Sequence, residues 1–185
     1  MELDADPFLL DGSSMLDDVS GLDVVVGSTH VFPGGSAFWF DRVRLPEETA
    51  RRVAKEWREW TIKFVRSGKI HVLAHPGDLV AARRLLPPFD EPEVLDFFDP
   101  LFEAMAEVGV AFELNELLSR KLPVGHFDSY PALVRRAHSH GLLFSLGSDA
   151  HRPEDVAQYE WLPALVDAVG LTTSDLWYPE ALRKS

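Results

Sequence analysis

Short apolar segments alternate with longer segments of helical period along most of the chain. Four short segments are rich in apolar residues and have the length and composition of buried strands: residues 22–26, 70–74, 110–114 and 142–146. Segments of helical period lie between them. Strands separated by helices are typical of a parallel sheet or an (α/β) barrel, so the pattern predicts an α/β fold.

Five segments are predicted to be helices: residues 46–67, 79–86, 92–108, 131–140 and 153–169. The first begins at Pro46, has two acidic residues in its first turn and ends at Gly68, as the preferences of helix termini require. Its apolar stripe includes Trp57 and Phe64. The pattern also predicts a short strand near residue 171 and a helix from residue 179.

Composition narrows the class of protein. The chain has 185 residues, 46% of them hydrophobic, so residues 1–185 are expected to form one domain with a sizeable core. A net charge of −12 repels polyanions, so nucleic acid is not an expected partner. No apolar run approaches the roughly 20 residues that span a bilayer, so a membrane is not expected either. No secretory signal is visible, and the expected compartment is the cytoplasm.

Metal-binding side chains follow or end each predicted strand. Cysteine is absent, so any metal must be held by His, Asp, Glu or main-chain oxygen. The polar residues at the strand ends are His30, His75, Glu113, Asn115, Asp149 and His151. Because the carboxyl ends of parallel strands meet at one edge, these side chains are expected to converge. Imidazole and carboxylate bind zinc or manganese, which lower the pKa of bound water, so the pattern predicts a hydrolytic metal site.

Simpler explanations exist for single residues. A histidine after a strand, such as His30 or His75, can be a turn residue that hydrogen-bonds the backbone. Asp149 and His151 are separated by one residue on an extended segment and point the same way, which favours a shared role. Glu113 lies inside an apolar strand and needs a partner there, for which an arginine or lysine is as suitable as a metal.

The remaining histidines are weaker candidates. His138 and His140 lie in the last turn of a predicted helix, where side chains two positions apart diverge, and a cation near a helix C-terminus explains them sufficiently. His71 lies inside a strand and is expected to face the opposite layer or to make a core hydrogen bond. The role of His126, in a predicted loop, stays open.

Four sequence segments carry a family resemblance: LDVVVGSTHVF (22–32), GKIHVLAHPGDL (68–79), VAFELNE (110–116) and LGSDAHRP (146–153). In order and approximate spacing they resemble the PHP family, the polymerase and histidinol phosphatase domain, and within it the histidinol-phosphatase-like and YcdX-like phosphoesterases. The resemblance implies a distorted (β/α)7 TIM-like barrel. It also implies divalent metal ions at the C-terminal rim, and we expect one to three ions of Zn, Mn or Fe.

The resemblance also implies roles for individual residues. The implied metal ligands are Glu2, His30, His75, Asp149 and His151, and the last two are also the implied catalytic residues. Asp4 is a weaker substitute for Glu2. Glu113 and Asn115 match a Glu-x-Asn strand that supports the site in the family.

The chain departs from the family in its first residues. Family members open with a His-x-His strand motif and two further histidine ligands, for which this sequence has no counterpart before Glu2. We therefore expect an incomplete PHP-type barrel. The chain is interpreted as a natural short form, a fragment, or a barrel that another chain completes. An open barrel would expose apolar strand edges, which predicts a rearranged fold or self-association.

Three functions stay open from the sequence. The first is metal-dependent hydrolysis of a small phosphate monoester by metal-activated water, with Arg42, Arg120 and Arg152 as phosphate-binding candidates that can equally be ordinary surface residues. The second is a non-catalytic or regulatory PHP remnant with a partial metal site. The third is a different hydrolase, such as an amidohydrolase-like C–N hydrolase, which no pattern here specifically favours.

Overall fold

A computed structural model describes residues 1–32 and 45–179. A parallel sheet of five strands forms its centre, and the order of the strands in the sheet is their order along the chain. The strands are β1 (Glu2–Asp4), β2 (Val26–Ser28), β3 (Val72–Leu73), β4 (Ala111–Asn115) and β5 (Phe144–Gly147). The predicted α/β class is confirmed. The described strands form one row that is compatible with a TIM-like fold, without a demonstrated closure.

In the described ranges, six helices connect or flank the strands. They are α1 (Glu47–Val65), α2 (Asp78–Ala82), α3 (Pro92–Val108), α4 (Leu118–Lys121), α5 (Val124–Ser139) and α6 (Leu162–Val169). The same ranges contain short 3-10 turns at Pro153–Asp155, before α6, and at Thr173–Asp175, after it. No helix in the described ranges is both long and apolar enough to cross a membrane.

The first two strands differ from the sequence prediction. The pattern does not predict β1, because it has three residues, of which Leu3 alone is buried between two exposed acids. β2 lies later than the predicted segment 22–26, and Gly27 pairs with Leu73 in β3. A Cβ at Gly27 would lie 2.6 Å from the side chain of Ile70, so this position requires a glycine.

α1 positions the chain just before His30. Its predicted apolar stripe is buried, including Ala54, Trp57 and Phe64, and α1 packs on α3. Trp57 Nε1 donates a hydrogen bond to Thr29 Oγ1 (3.1 Å), which ties α1 to the segment that follows β2. The segment carrying His30 is thereby fixed against the core.

α5 begins earlier than predicted. The prediction of residues 131–140 took Pro131 as the first helical residue, but the helix already begins at Val124, directly after Pro123. Pro131 lies inside it and lacks the N–H that a helix interior uses. The helix continues because Tyr130 and Leu133, on either side of the proline, are fully buried.

α6 begins later than predicted. Residues 151–160, which the pattern placed in a helix from residue 153, are exposed, and only Pro153–Asp155 forms a single 3-10 turn. The Glu116 carboxylate accepts hydrogen bonds from the backbone N–H groups of Trp161 and Leu162 (2.9 Å each). This carboxylate satisfies the first N–H groups of α6 and sets its start.

Short segments cover both edges of the described sheet. At β1, Met15 donates its backbone N–H to Asp4 (3.0 Å), beside an antiparallel bridge between Ala5 and Ser14. At β5, the backbone N–H of Trp177 donates to Phe144 (2.8 Å). The predicted strand near residue 171 is therefore replaced by a single bridge at residue 176, and most of the predicted last helix lies outside the described residues.

Candidate metal and phosphate site

The first three strands bring three candidate ligands together. Glu2 lies in β1, His30 follows β2 and His75 follows β3. Ligand atoms of these three residues lie within 4.8 Å of one another. We call these residues the ligand group. Glu2 is exposed, His30 is partly buried and His75 is buried, so the group opens to solvent on one side.

His30 is oriented by the strand next to its own. Its Nδ1 donates to Asp4 Oδ1 (2.8 Å), and the same carboxylate oxygen accepts a hydrogen bond from the Ser28 hydroxyl (2.7 Å). The hydrogen bond to Asp4 raises the pKa of His30 against the opposing effect of burial. Burial acts to raise the pKa of Asp4, but these hydrogen bonds outweigh it and lower the pKa. The ionised Asp4 therefore directs His30 Nε2 towards Glu2 Oε1, 3.4 Å away.

His75 is buried in a strained turn. Its φ of +34° lies outside the regions that non-glycine residues usually adopt, and Gly77 follows with a φ of +91°. His75 Nδ1 lies 3.1 Å from Asp78 Oδ2, but within the described residues neither ring nitrogen has a partner at hydrogen-bond geometry. Burial acts to lower the pKa of His75, yet the charges of Asp78 and Glu113 raise it to about 9. The ring is thus held in a strongly acidic environment.

A buried carboxylate lies beneath the ligand group. Glu113 Oε2 accepts hydrogen bonds from the backbone N–H of His75 (2.9 Å) and from the Asn115 side chain (3.0 Å). Burial raises the pKa of Glu113, and His75 and Asn115 offset only part of that effect. Gly147 in β5 contacts the Glu113 carboxylate so closely that a Cβ at residue 147 would overlap it. Glu113 and Asn115 therefore support the turn that carries His75.

Asp149 and His151 lie apart from the ligand group. Asp149 Oδ2 accepts a hydrogen bond from Lys121 Nζ (2.8 Å), and His151 Nε2 lies 3.6 Å from Asp149 Oδ1. The His151 side chain is 78% exposed. Burial acts to raise the pKa of Asp149, but Lys121 outweighs it and lowers the pKa. The five implied ligands thus separate into a group of three and an ion-paired aspartate beside an exposed histidine.

A cavity of about 220 Å³ joins the two parts. Its lining comes from β1, β2 and β4 and from residues that precede β1 or follow β3 and β5, and is made of Met1, Glu2, Val26, Ala74, His75, Glu113, Asn115 and Asp149. Of the six strand-end residues expected to converge, His75, Glu113, Asn115 and Asp149 line the cavity, whereas His30 and His151 do not. Three carboxylates line this small space, so it favours a cation or a ligand that binds together with a cation.

A divalent ion fits the ligand group. Buried His75 Nε2 has no hydrogen-bond partner among the described residues. Each histidine has a carboxylate beside its Nδ1, from Asp4 and Asp78, which is the usual support of metal-binding imidazoles. Two imidazoles and one carboxylate suit zinc or manganese and leave further coordination positions open. The roles of the individual ligands stay predictions.

Curated proteins that match the chain are named as phosphatases. A probable histidinol-phosphatase of Deinococcus radiodurans is 28% identical over 145 residues, covering 72% of this chain and 49% of the relative. The probable phosphatase YcdX of Escherichia coli is 30% identical over 111 residues, 58% of this chain and 39% of the relative. A probable phosphatase of Aliivibrio fischeri is 29% identical over 109 residues, with the same coverage. The chain is a homologue of the PHP/YcdX-like phosphatases.

The likeness is limited in extent. The chain spans less than half the length of these curated relatives. No protein-family model matches it. The activity of the whole relatives therefore does not pass to the chain without further argument.

Of the three arginine candidates for phosphate binding, the structure describes two, and neither lines the cavity. Arg120 in α4 and Arg152 are exposed, and neither lines the cavity. Arg42 lies outside the described residues. Phosphate binding by Arg120 or Arg152 would require a side chain that reaches inward from the surface.

The other histidines that the sequence singles out pair with side chains or backbone groups outside the ligand group. His138 pairs with Asp175 (3.1 Å) and His140 with Asp99 (2.8 Å), so they diverge as expected. His71, expected inside a strand, lies just before β3 and is exposed, and its Nδ1 accepts the backbone N–H of Val25 (3.0 Å). His126 is buried, and its Nε2 bonds the Leu86 carbonyl oxygen (3.0 Å). Burial lowers the pKa of His126.

Two residues next to the candidate ligands are missing from the sequence prediction. Asp78 lies three residues after His75, and Lys121 follows the Glu-x-Asn strand next to Arg120. The spacing of Asp78 was a usable signal, since an acid in the turn after a histidine can reach its ring. For Lys121 the only signal is a basic residue soon after a strand end, which did not distinguish it from Arg120.

Proposed function

We propose that the chain is a metal-dependent hydrolase of phosphate monoesters and that its substrate is a small phosphorylated molecule. The observation that carries the proposal is the ligand group of Glu2, His30 and His75, of which Glu2 and His75 line the cavity. The phosphatase names of the curated relatives support the same reaction class. Zinc, manganese or iron is the proposed cofactor.

The residues of the chain have separate tasks in this reaction. Glu2, His30 and His75 would hold a divalent ion, which would supply positive charge for the phosphate and activate water. Asp4 and Asp78 hold the two imidazoles in orientation. Glu113 fixes the backbone of His75. His151, exposed beside Asp149, is the proposed catalytic residue and can pass a proton to the leaving oxygen.

The size of the cavity favours a small substrate. Its volume of about 220 Å³ is below the roughly 300–1,000 Å³ of typical sites that enclose whole organic ligands. A phosphate group fits inside, and the organic part of the substrate then lies against the exposed segment after β5. The net charge of −12 gives no general attraction to nucleic acid.

A second candidate function is a non-catalytic module that binds one metal ion. It is favoured by the separation of Asp149 and His151 from the ligand group, since Lys121 pairs with Asp149. In that case metal binding would order or regulate the protein without hydrolysis. The two functions differ in whether the metal-loaded chain turns over a monoester.

Metal analysis together with hydrolysis of p-nitrophenyl phosphate separates these functions. We expect the purified chain to bind Mn²⁺ or Zn²⁺ and to hydrolyse the ester only when loaded. His75→Ala should lower metal affinity and reduce kcat/KM by about 100-fold or more, because it removes a ligand. His138→Ala is the matched control, since His138 pairs with Asp175 outside the cavity, and should retain activity within about twofold.

The outcomes point in different directions. A folded chain that binds metal without hydrolysing the ester would favour the non-catalytic module. A folded chain that binds no metal, or a His75→Ala variant with wild-type hydrolysis, would refute the proposed reaction at this site.

A further inference from the structure

Lys121 forms a partly buried ion pair with Asp149, a residue that lines the cavity. Its Nζ lies 2.8 Å from Asp149 Oδ2, and only 18% and 16% of the two side chains are exposed. Lys121 is the last residue of α4 and Asp149 follows β5, so the pair joins the segments after β4 and β5. Asp149 lines the cavity together with Glu2 and His75. The ammonium group therefore lies one carboxylate away from the cavity.

Stability alone is a weak explanation for this pair. Partial burial removes hydration from both charges, and the mutual attraction often does no more than offset that loss. Asp149 also has a φ of +51°, a left-handed conformation that non-glycine residues seldom adopt. A strained residue held by an ion pair in the lining of a cavity is more typical of a binding site than of a structural contact.

The charge balance of the cavity indicates what the lysine is for. Glu2, Glu113 and Asp149 line the cavity, and no lysine or arginine is among the described lining residues. A phosphate dianion entering this space is repelled unless positive charge accompanies it. One divalent ion on the ligand group offsets part of the negative charge. Lys121 is placed to supply the rest, and its charge already acts on His75.

We propose that Lys121, positioned by Asp149, binds the phosphate group of the substrate on the side of the cavity opposite a single divalent ion held by Glu2, His30 and His75. This inference rests on the proposed function. An ammonium carries three N–H donors, so a bond to a phosphate oxygen is compatible with the bond to Asp149. Asp149 is then a positioning residue for Lys121 and not a metal ligand.

Binding of inorganic phosphate to the Mn²⁺-loaded chain, measured by titration calorimetry, tests this role without requiring turnover. Lys121→Met keeps the length of the side chain and removes its charge, and should weaken phosphate binding about tenfold, or about 1.4 kcal/mol. Lys121→Arg keeps the charge and should bind within about threefold of wild type. Lys55→Met is the matched control, because Lys55 pairs with Glu59 on α1, and should leave phosphate affinity unchanged.

Asp149→Asn separates positioning from metal binding. If Asp149 positions Lys121, this variant weakens phosphate binding by a factor similar to that of Lys121→Met and leaves Mn²⁺ stoichiometry at one. If Asp149 is instead a metal ligand, the same variant lowers Mn²⁺ affinity, and the proposal is overturned. Thermal midpoints of all variants, with Lys121→Arg as the rescue, identify a loss that arises from unfolding alone.

Failure of this inference is distinguishable from failure of the proposed function. A chain that binds phosphate through Lys121 but hydrolyses no monoester refutes the hydrolase and keeps the phosphate site. A chain that hydrolyses p-nitrophenyl phosphate with an unchanged KM in Lys121→Met keeps the hydrolase and refutes the role of Lys121. Wild-type chain that binds no phosphate refutes the site outright.

Discussion

One buried carboxylate organises the centre of the site at the scale of single residues. The sequence shows that Glu113, inside an apolar strand, needs a partner. The partner predicted from the sequence is an arginine, a lysine or a metal ion. The direct hydrogen-bond partners in the structure are the backbone N–H of His75 and the Asn115 amide. The Asn115 contact is local and could be anticipated from the Glu-x-Asn spacing. The His75 contact could not, because it depends on the pairing of β3 with β4 and on the left-handed backbone of His75.

Gly147→Ala should disturb this carboxylate. A Cβ at residue 147 overlaps Glu113, whose side chain has no room to shift without losing its bonds to His75 and Asn115. We expect unfolding free energy to fall by about 1–3 kcal/mol, measured by urea denaturation. Gly125→Ala is the control: its new Cβ meets Pro88 at 3.5 Å, an ordinary contact, and alanine favours the helix. Equal stability of wild type and Gly147→Ala would contradict the observed packing of Glu113.

At the scale of elements, the helix boundaries show which bounds the local sequence pattern predicts and which it does not. α1 and α3 lie within two residues of their predicted bounds, because their apolar stripes and terminal residues are contained in the segment itself. The start of α6 depends on Glu116, which lies 45 residues before Trp161 in the chain. The same holds for the site. Residues directly after strand ends are predictable, whereas the pairing of Lys121 with Asp149 requires two separate segments to be placed together.

Glu116→Ala should weaken the start of α6. The substitution removes the acceptor of two backbone N–H groups and a negative charge near the helix N-terminus, so we expect a loss of about 1 kcal/mol of unfolding free energy. Glu160→Ala, an exposed acid next to Trp161, is the matched control and should change stability by less than about 0.5 kcal/mol. Hydrogen exchange of the Leu162 amide gives a local measurement, and unchanged exchange in Glu116→Ala would contradict this capping role.

At the scale of the whole molecule, the sheet edges differ from the expectation of open apolar strands. Residues near Ser14 cover β1, and residues near Leu176 cover β5. Exposed apolar side chains instead lie in the loop after β1, at Phe8, Leu9 and Met15. Strand pairing of this kind could not be predicted, because the covering segments are single bridges without a strand pattern of their own.

Self-association stays a prediction, and we propose that the loop after β1 carries it. Multi-angle light scattering should give a mass above 20.8 kDa that rises with protein concentration. The double variant Phe8→Asp, Leu9→Asp should shift the mass towards the monomer, because it places charge in the apolar loop. Val124→Asp, at another exposed apolar position, is the control and should leave the mass unchanged. Monodisperse monomeric wild type at high concentration would contradict the prediction.

Because strand order in the sheet repeats strand order in the chain, the two parts of the site lie on different halves of the row of strands. Glu2, His30 and His75 lie in or after β1–β3, whereas Lys121 and Asp149 follow β4 and β5. Native proteins open in local cooperative units. The two halves of such a row of strands can therefore differ in the free energy of local opening that amide hydrogen exchange measures. A ligand that contacts both halves lowers the population of states in which one half is locally open. In that complex the substrate, rather than a further strand, connects the first strand of the described sheet to the last.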